Sequence, residues 1–186
     1  MTPEELEDET ARPAPVRFAG MSRAQRAHGQ RLAAIHDMYR AELKGVARLM
    51  TAIRGQTAAP GALAPALAGT ALARNLAQFG TACGRDCALL QNHHDIEEQW
   101  MFPAIAKRGG RPLAPLIARL KAEHKVIHRL IEDLHMAAHA LVLDQSPARF
   151  DDCATRFAAL DRAIRSHFGY EERVLEEPLG ALGVPI

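Results

Sequence analysis

The sequence is poor in the residues that build β-sheets. Valine, isoleucine and threonine together number 22 among 186 residues, whereas alanine alone numbers 35. β-Branched side chains favour strands and alanine has the highest helix propensity, so this balance predicts an all-α protein. Apolar residues make up 48% of a chain whose length suits one domain, which is enough for a single hydrophobic core.

An excess of charge of one sign is also missing. The chain has 23 basic and 22 acidic residues, for a formal net charge of +1. Proteins that bind nucleic acid use a basic surface to neutralise phosphates, so we expect no nucleic acid partner.

The sequence lacks clear signals for export or membrane insertion. The acidic start, MTPEELEDET, has neither the basic nor the apolar region of a signal peptide. The longest uncharged run, residues 55–73, is rich in alanine and glycine and contains Pro60 and Pro65, which suits a membrane span poorly. Three cysteines, an odd number, predict no disulfide framework and suit a reducing compartment. We therefore expect a cytoplasmic protein with no membrane partner.

Helical periodicity occurs in four blocks, at about residues 22–54, 66–72 to 107, 112–143 and 147–176. Glycine and proline separate the blocks, and Gly80 and Gly84 predict a bend or break inside the second. Pro178 and Gly180 predict the end of the fourth block.

Short connections between the blocks force sequential helices to run antiparallel. The blocks therefore predict an up-down-up-down antiparallel four-helix bundle. We assign residues 21–180 to this domain and residues 181–186 to a C-terminal tail. Residues 1–20, with three prolines and a mostly acidic start, are expected to form a flexible N-terminal arm.

Histidines and acidic residues interrupt the apolar stripe part-way along every block. They are His36 in the first block, His93 or His94 with Glu97 in the second, His124 and His128 in the third, and His167 and Glu171 in the fourth. Residues four apart share one helix face and lie about 6 Å apart along the axis. Similar distances separate these residues from the ends of their blocks, so an antiparallel bundle brings all of them into one layer.

Metal ions would remove the cost of burying this layer. Buried charged groups destabilise a protein by roughly several kcal/mol each when nothing compensates them. Imidazole combined with carboxylate suits iron better than zinc, which favours closed tetrahedral sites, or magnesium, which prefers oxygen alone. Five histidines and two carboxylates exceed the ligands of one ion, so we predict two iron ions bridged by Glu97 and Glu171.

Four motifs resemble those of the hemerythrin-like, or HHE, cation-binding family. The first long motif is HHDIEEQWMFP at residues 93–103, and the second is HFGYEERVL at residues 167–175. IHD at residues 35–37 and AEH at residues 122–124 also look like family positions. The four motifs come in the family's order over about residues 30–178.

This resemblance implies a non-haem di-iron centre, with an oxo or hydroxo bridge, inside a four-helix bundle. The ligands carried over by position are His36, His93, Glu97, His124, His128, His167 and Glu171. The family includes oxygen carriers, oxygen and redox sensors, and proteins of iron or nitrosative stress, so the implied partner is dioxygen, nitric oxide or peroxide. A di-iron enzyme that disproportionates peroxide or oxidises ferrous iron, and an iron store, are alternatives with the same ligands.

The motifs leave one register open and depart once from the family pattern. The pair HH followed by EE permits a second register, His94 with Glu98, although alignment of the two long motifs favours the first residue of each pair. Oxygen-carrying members have an aspartate five residues after the last ligand histidine, whereas Glu171 follows His167 at four.

A second metal site is a further hypothesis. His135 and His139 repeat a spacing of four along the third block, and three cysteines lie at comparable depth in the bundle: Cys83, Cys87 and Cys153. Thiolate and imidazole together bind soft transition metals, but small buried cysteines commonly just fill a core.

Overall fold

All regular secondary structure in the described residues is helical. The structure is a computed structural model that describes residues 1–56, 63–79, 81, 82 and 84–186. The α-helices are α1 (Pro3–Glu7), α2 (Arg23–Gly29), α3 (Arg31–Gln56), α4 (Leu63–Leu67), α5 (Ala71–Phe79), α6 (Asp86–Ile96), α7 (Phe102–Gly109), α8 (Ala114–Leu143) and α9 (Pro147–Leu182). A π-helical turn, Glu97–Met101, joins α6 to α7, and the 3₁₀ turns are Glu9–Ala11 and Arg111–Leu113. The predicted all-α class is confirmed.

The predicted blocks divide at two places. The first block forms α2 and α3, with Gln30 between them, and the second block breaks between Phe79 and Asp86. Gly84 in that break has a φ of +61°, a conformation that glycine adopts without strain. Gly80 and Cys83 lie outside the described residues.

The fourth block extends beyond its predicted end. α9 runs through Pro178 to Leu182, and Gly183 follows with a φ of +59°. The Val184 N–H then donates to the Leu179 carbonyl, which is the bond of a Schellman cap. Leu179 and Val184 are fully buried, so packing around the last turn compensates for the backbone hydrogen bond that proline cannot make.

The chain divides into two compact units. Unit 1 comprises Met1–Met38, Gln91–Ile127 and Ala163–Ile186, and unit 2 comprises Tyr39–Leu90 and His128–Arg162. The buried apolar side chains of unit 2 include Leu43, Met50, Leu72, Leu134, Phe150 and Phe157.

One apolar cluster forms the core of unit 1. Its members are Leu32, Met101, Phe102, Ile105, Leu113, Leu116, Ile117, Leu120, Tyr170, Val174, Leu175, Leu179 and Val184. On α8 the step from Leu116 to Leu120 follows helical periodicity, and the same face continues to His124. The apolar core therefore leads directly into a buried polar layer.

The N-terminal segment, residues 1–20, belongs to unit 1 and contacts other parts of it. It contains α1, which begins with a capping box between Thr2 and Glu5. Leu6 is fully buried, and the side chain of Arg12 is 1% exposed. The proline-rich composition of the segment does not reveal these contacts because they are made with residues far away in the sequence.

No helix among the described residues combines the length and the apolar composition that a membrane span requires.

Two glycines allow α2 and α9 to approach each other closely. A Cβ atom at Gly29 would lie 2.0 Å from the Glu176 carbonyl oxygen, and one at Gly180 would lie 2.2 Å from the Gln25 carbonyl oxygen. Both clashes involve backbone atoms, which cannot move away as a flexible side chain can.

We expect Gly180→Ala to lower the free energy of unfolding by about 1–3 kcal/mol, because the methyl group must push the two backbones apart. Gly45→Ala is the matched control, since Gly45 is also inside a helix but a Cβ there meets nothing within 4 Å. That variant should be neutral or more stable by up to about 1 kcal/mol, owing to helix propensity. Urea unfolding of the two variants measures both effects, and equal stabilities would contradict the close approach.

Candidate metal centre

Four α-helices and the π turn contribute residues of unit 1 to the buried polar layer. The residues are His36 from α3, His93 and His94 from α6, Glu97 from the π turn, Glu123 and His124 from α8, and His167 and Glu171 from α9. His93 is 9% exposed and the others are 0–1% exposed. Charged and imidazole groups at this depth must be compensated by partners or by a cation.

The layer contains two groups whose ligand atoms lie within 4.8 Å of one another. The mixed group is His36, His93, Glu97 and Glu171. The three-histidine group is His94, His124 and His167.

The mixed group has the spacing of ligands around one ion. His36 Nε2 lies 3.1 Å from His93 Nε2, and His93 Nε2 lies 3.1 Å from Glu97 Oε1. His36 Nε2 lies 3.6 Å from Glu171 Oε2. Donors bonded to one ion at about 2.1 Å, with angles of roughly 90–110° between them, are about 3.0–3.4 Å apart.

The two carboxylates also contact the three-histidine group. Glu97 Oε2 lies 3.5 Å from His124 Nε2, and Glu171 Oε2 lies 3.4 Å from His167 Nε2. Each carboxylate thus contacts histidines of both groups, which is the arrangement of a bridging ligand.

Several of these atoms have no hydrogen-bond partner among the residues that the structure describes. Both carboxylate oxygens of Glu97, both of Glu171, and Nε2 of His167 are buried and make no hydrogen bond within the described part of the chain. Native proteins rarely leave buried polar atoms in this state. Atoms with lone pairs that converge without hydrogen bonds fit the coordination of a metal.

A carboxylate accepts a hydrogen bond from the outer nitrogen of one histidine on each of α3, α8 and α9. His36 Nδ1 donates to Glu172 at 2.8 Å. His124 Nδ1 donates to Glu98 at 3.0 Å, and His167 Nδ1 donates to Glu123 at 3.0 Å. A carboxylate only accepts, so each Nδ1 carries the proton and each Nε2 faces the layer. Metal-binding histidines are held in this way by outer carboxylates.

Burial and neighbouring charges shift the titration of the layer. Burial lowers the pKa of His93 to about 3, so this imidazole is neutral and keeps a lone pair. Burial, with the charges of Glu171 and Glu98, raises the pKa of Glu97 well above its usual value. For Glu171, burial alone would raise the pKa, but the nearby His167 outweighs it and the pKa is lowered. Two carboxylates whose pKa values move apart share a site that favours added positive charge.

The donor set fits iron. It contains imidazole nitrogens and carboxylate oxygens, which suit iron, whereas calcium and magnesium take oxygen ligands. Seven donors in two groups that share two carboxylates are enough for a pair of ions.

The structure brings together six of the seven residues that the sequence analysis selected as ligands. His128 is the exception: it is partly buried and belongs to neither group. His94, which the sequence analysis considered only as an alternative to His93, is in the three-histidine group. Consecutive helical residues point about 100° apart, so His93 and His94 each face a different group.

The π turn places Glu97 in the layer and the following residues in the core. The Phe102 N–H donates to the Glu97 carbonyl five residues back, which inserts one residue into the helical turn. Glu97, Met101 and Phe102 are all at most 5% exposed as a result. A helical period of 3.6 residues does not anticipate this insertion.

The sequence suggested Glu98 only as a ligand in the alternative register with His94, and it suggested no role for the other two outer carboxylates, Glu123 and Glu172. A signal is present in the sequence, because each is adjacent to a residue of the layer: Glu98 to Glu97, Glu123 to His124, and Glu172 to Glu171. Neighbouring helical residues cannot both face one point, so the second member of each pair is free to support a histidine from another helix.

The residues of the hypothetical second site do not assemble into a metal-binding group in the described part of the chain. His135 and His139 are exposed on α8. Cys153 is buried, and burial raises the pKa of its thiol to about 11, so no thiolate forms near neutral pH. Cys87 is disulfide-bonded, whereas the sequence predicted no disulfide framework. An odd number of cysteines excludes the pairing of all of them but still permits one bridge. Cys83 lies outside the described residues.

Comparison with known protein families also indicates a cation-binding domain. The family model described as Hemerythrin HHE cation binding domain matches residues 29–179, which include the whole buried polar layer. No curated protein and no solved structure matches the chain. Because the match covers most of the sequence, the chain belongs to the hemerythrin family of HHE cation-binding domains.

Proposed function

We propose that the protein holds two iron ions in the buried layer of unit 1 and binds a small ligand at one of them. The observation that carries this proposal is the contact of Glu97 and Glu171 with histidines of both groups, through buried oxygens that make no hydrogen bond to the described residues. An iron pair supplies a Lewis-acidic, redox-active centre with a coordination position for a diatomic molecule or peroxide.

His36 and His93 would hold one ion, and His94, His124 and His167 would hold the other. Glu97 and Glu171 would bridge the pair, together with an oxo or hydroxo group. In this assignment His94 takes the place that the sequence analysis gave to His128.

The unequal number of histidines favours an open coordination position on the His36 and His93 side. Two imidazoles and two bridging carboxylates provide one donor fewer than three imidazoles with the same carboxylates. Solvent exposure also favours an open position on this side. His93 is 9% exposed, whereas every residue of the three-histidine group is fully buried. A small ligand therefore reaches this side first.

The surrounding aromatic rings keep the site dry and rigid. The His36 ring stacks on Phe168, with centroids 3.8 Å apart and planes within 6° of each other. His94 and His124 stack with centroids 3.9 Å apart, and Phe102 lies beside His124. Fixed rings hold the Nε2 atoms in place, and the apolar surroundings limit the access of water.

The physiological ligand in this proposal is dioxygen, nitric oxide or peroxide, and the role is a response to oxygen, redox or nitrosative stress. We also propose that α3, α6 with α7, α8 and α9 run alternately up and down as a four-helix bundle, because each supplies residues to the one layer.

The first prediction concerns metal content. Purified protein should contain two iron ions per chain, and Glu97→Ala should lower the content below one, because both ions lose a shared ligand. Elemental analysis measures this content. Removal of iron by a chelator should also lower the melting temperature, since burial of the layer is then uncompensated. An unchanged melting temperature after full removal would contradict a structural role for the metal.

A second prediction separates His94 from His128. His94→Ala should reduce the iron content to about one ion per chain, because one of three imidazoles of a group is lost. His128→Ala is the matched control on the adjacent helix and should retain both ions. Loss of iron from His128→Ala, with retention in His94→Ala, would restore the ligand set that the sequence analysis favoured.

Optical spectroscopy tests the function. Reduced, iron-loaded protein exposed to air or nitric oxide should develop a charge-transfer band that disappears when the gas is removed. His93→Ala should lose this band, because its ligand belongs to the open side. Rapid evolution of gas from peroxide would instead identify an enzyme, and many iron atoms per chain would identify a store.

A further inference from the structure

The N-terminal segment reaches the metal centre although it precedes the matched family region, which begins at residue 29. Its backbone is anchored at several points in unit 1. Arg119 donates to the Leu6 carbonyl, Tyr170 Oη donates to the Pro13 carbonyl at 3.1 Å, and the Phe18 N–H donates to Glu177 at 2.7 Å. The segment between these contacts includes Arg12, whose side chain is buried.

Arg12 forms a two-pronged ion pair with Glu123. Arg12 Nε donates to Glu123 Oε1 at 3.0 Å, and a terminal nitrogen of Arg12 donates to Glu123 Oε2 at 3.2 Å. The two side chains are 1% and 0% exposed. The guanidinium also lies over the ring of Tyr170, 4.7 Å from its centroid, which fixes its plane.

Glu123 also contacts His167, a residue of the three-histidine group. Its Oε2 atom accepts a hydrogen bond from His167 Nδ1 at 3.0 Å, while Oε1 also accepts from Arg119 at 2.7 Å. Arg12 is therefore one carboxylate away from His167. The remaining ring nitrogen of His167, Nε2, faces Glu171 at 3.4 Å.

Glu123 differs from the other two outer carboxylates in its burial. The side chains of Glu98 and Glu172 are 32% and 24% exposed, so water stabilises their charge. Glu123 is fully buried, and a buried carboxylate needs charged or hydrogen-bonding partners to remain in place. His167 is held by Glu123, so its orientation depends on the arginines that stabilise the buried Glu123 carboxylate. Glu98 and Glu172 are stabilised by water instead.

We propose that Arg12 is a positioning residue of the metal centre, which holds Glu123 as an oriented acceptor for His167 Nδ1 and thereby directs His167 Nε2 into the three-histidine group. The effect on metal binding rests on the proposed function, whereas the effect on the orientation of His167 does not. The N-terminal segment is in this view a part of the site.

The geometry explains why Arg119 does not replace Arg12. Among the described residues, Arg119 donates to Oε1 of Glu123 and not to Oε2, so it does not orient the oxygen that accepts from His167. Without Arg12, Oε2 keeps the hydrogen bond from His167 but has no arginine donor among the described residues. Loss of an outer partner of a metal-binding histidine typically lowers metal affinity by about 10–100-fold.

The test compares Arg12→Gln and Arg12→Lys with a control that loosens the segment without changing the ion pair. Tyr170→Phe is that control, since it removes the hydrogen bond to Pro13 and keeps the ring under Arg12. The first measurement is the proton resonance of His167 Nδ1–H, by NMR of the full-length protein without metal and with Zn²⁺ as a diamagnetic probe. The second is the affinity for Zn²⁺ by titration.

Arg12→Gln should shift the His167 Nδ1–H resonance upfield and leave those of His36 and His124 unchanged. It should lower the affinity for Zn²⁺ by about 10-fold or more. Arg12→Lys keeps the charge but not the two-pronged geometry, so its values should fall between those of the parent and Arg12→Gln. Tyr170→Phe should match the parent protein in both measurements.

Two outcomes would overturn the inference. One is an unchanged His167 resonance in Arg12→Gln or, if that variant does not fold, in Arg12→Lys. The other is an equal change in Tyr170→Phe, which would mean that Arg12 only anchors the segment. If the parent protein binds neither Zn²⁺ nor iron, the proposed function fails, and the His167 resonance of the metal-free protein still decides the role of Arg12.

Discussion

The burial of Glu97 and Glu171 is the constraint on which the rest of unit 1 depends. Two carboxylates with nearly no exposure repel each other and have lost their hydration, and no hydrogen bond to the described residues replaces it. The pKa of Glu97 is raised for this reason, whereas the neighbouring His167 lowers the pKa of Glu171. Cations between the carboxylates and the surrounding imidazoles would offset this cost, which would couple the binding of metal to the packing of the helices.

Local backbone geometry then decides which donors meet at the centre. His93 and His94 point about 100° apart and so serve two different groups. The π turn that follows adds one residue to the helix between the buried polar layer and the apolar core. Glu97 therefore faces the layer while Met101 and Phe102 remain buried. Irregular turns of this kind are frequent at functional sites because they re-aim side chains without ending the helix.

Support for the ligands comes from farther away in the sequence. Glu172 and Glu98 accept hydrogen bonds from His36 and His124 at positions that water also reaches. Glu123 does the same for His167 in a buried environment, where an arginine from the N-terminal segment pairs with it. The family domain and the segment before it therefore contribute to one network of charges.

The sequence by itself determined the helical class, the blocks and the types of ligand, because these depend on composition and on periodicity within single helices. Histidine and glutamate at a spacing of four, as in His167 and Glu171, identify a polar helix face whatever the helix packs against. Only the tertiary structure shows that His94 lies in the three-histidine group and that His128 lies in neither group, because these positions depend on the rotation of each helix about its axis. It also decided the place of Arg12, which lies 111 residues from Glu123 in the chain. An ion pair of that separation forms only after the helices have packed, and no local pattern encodes it.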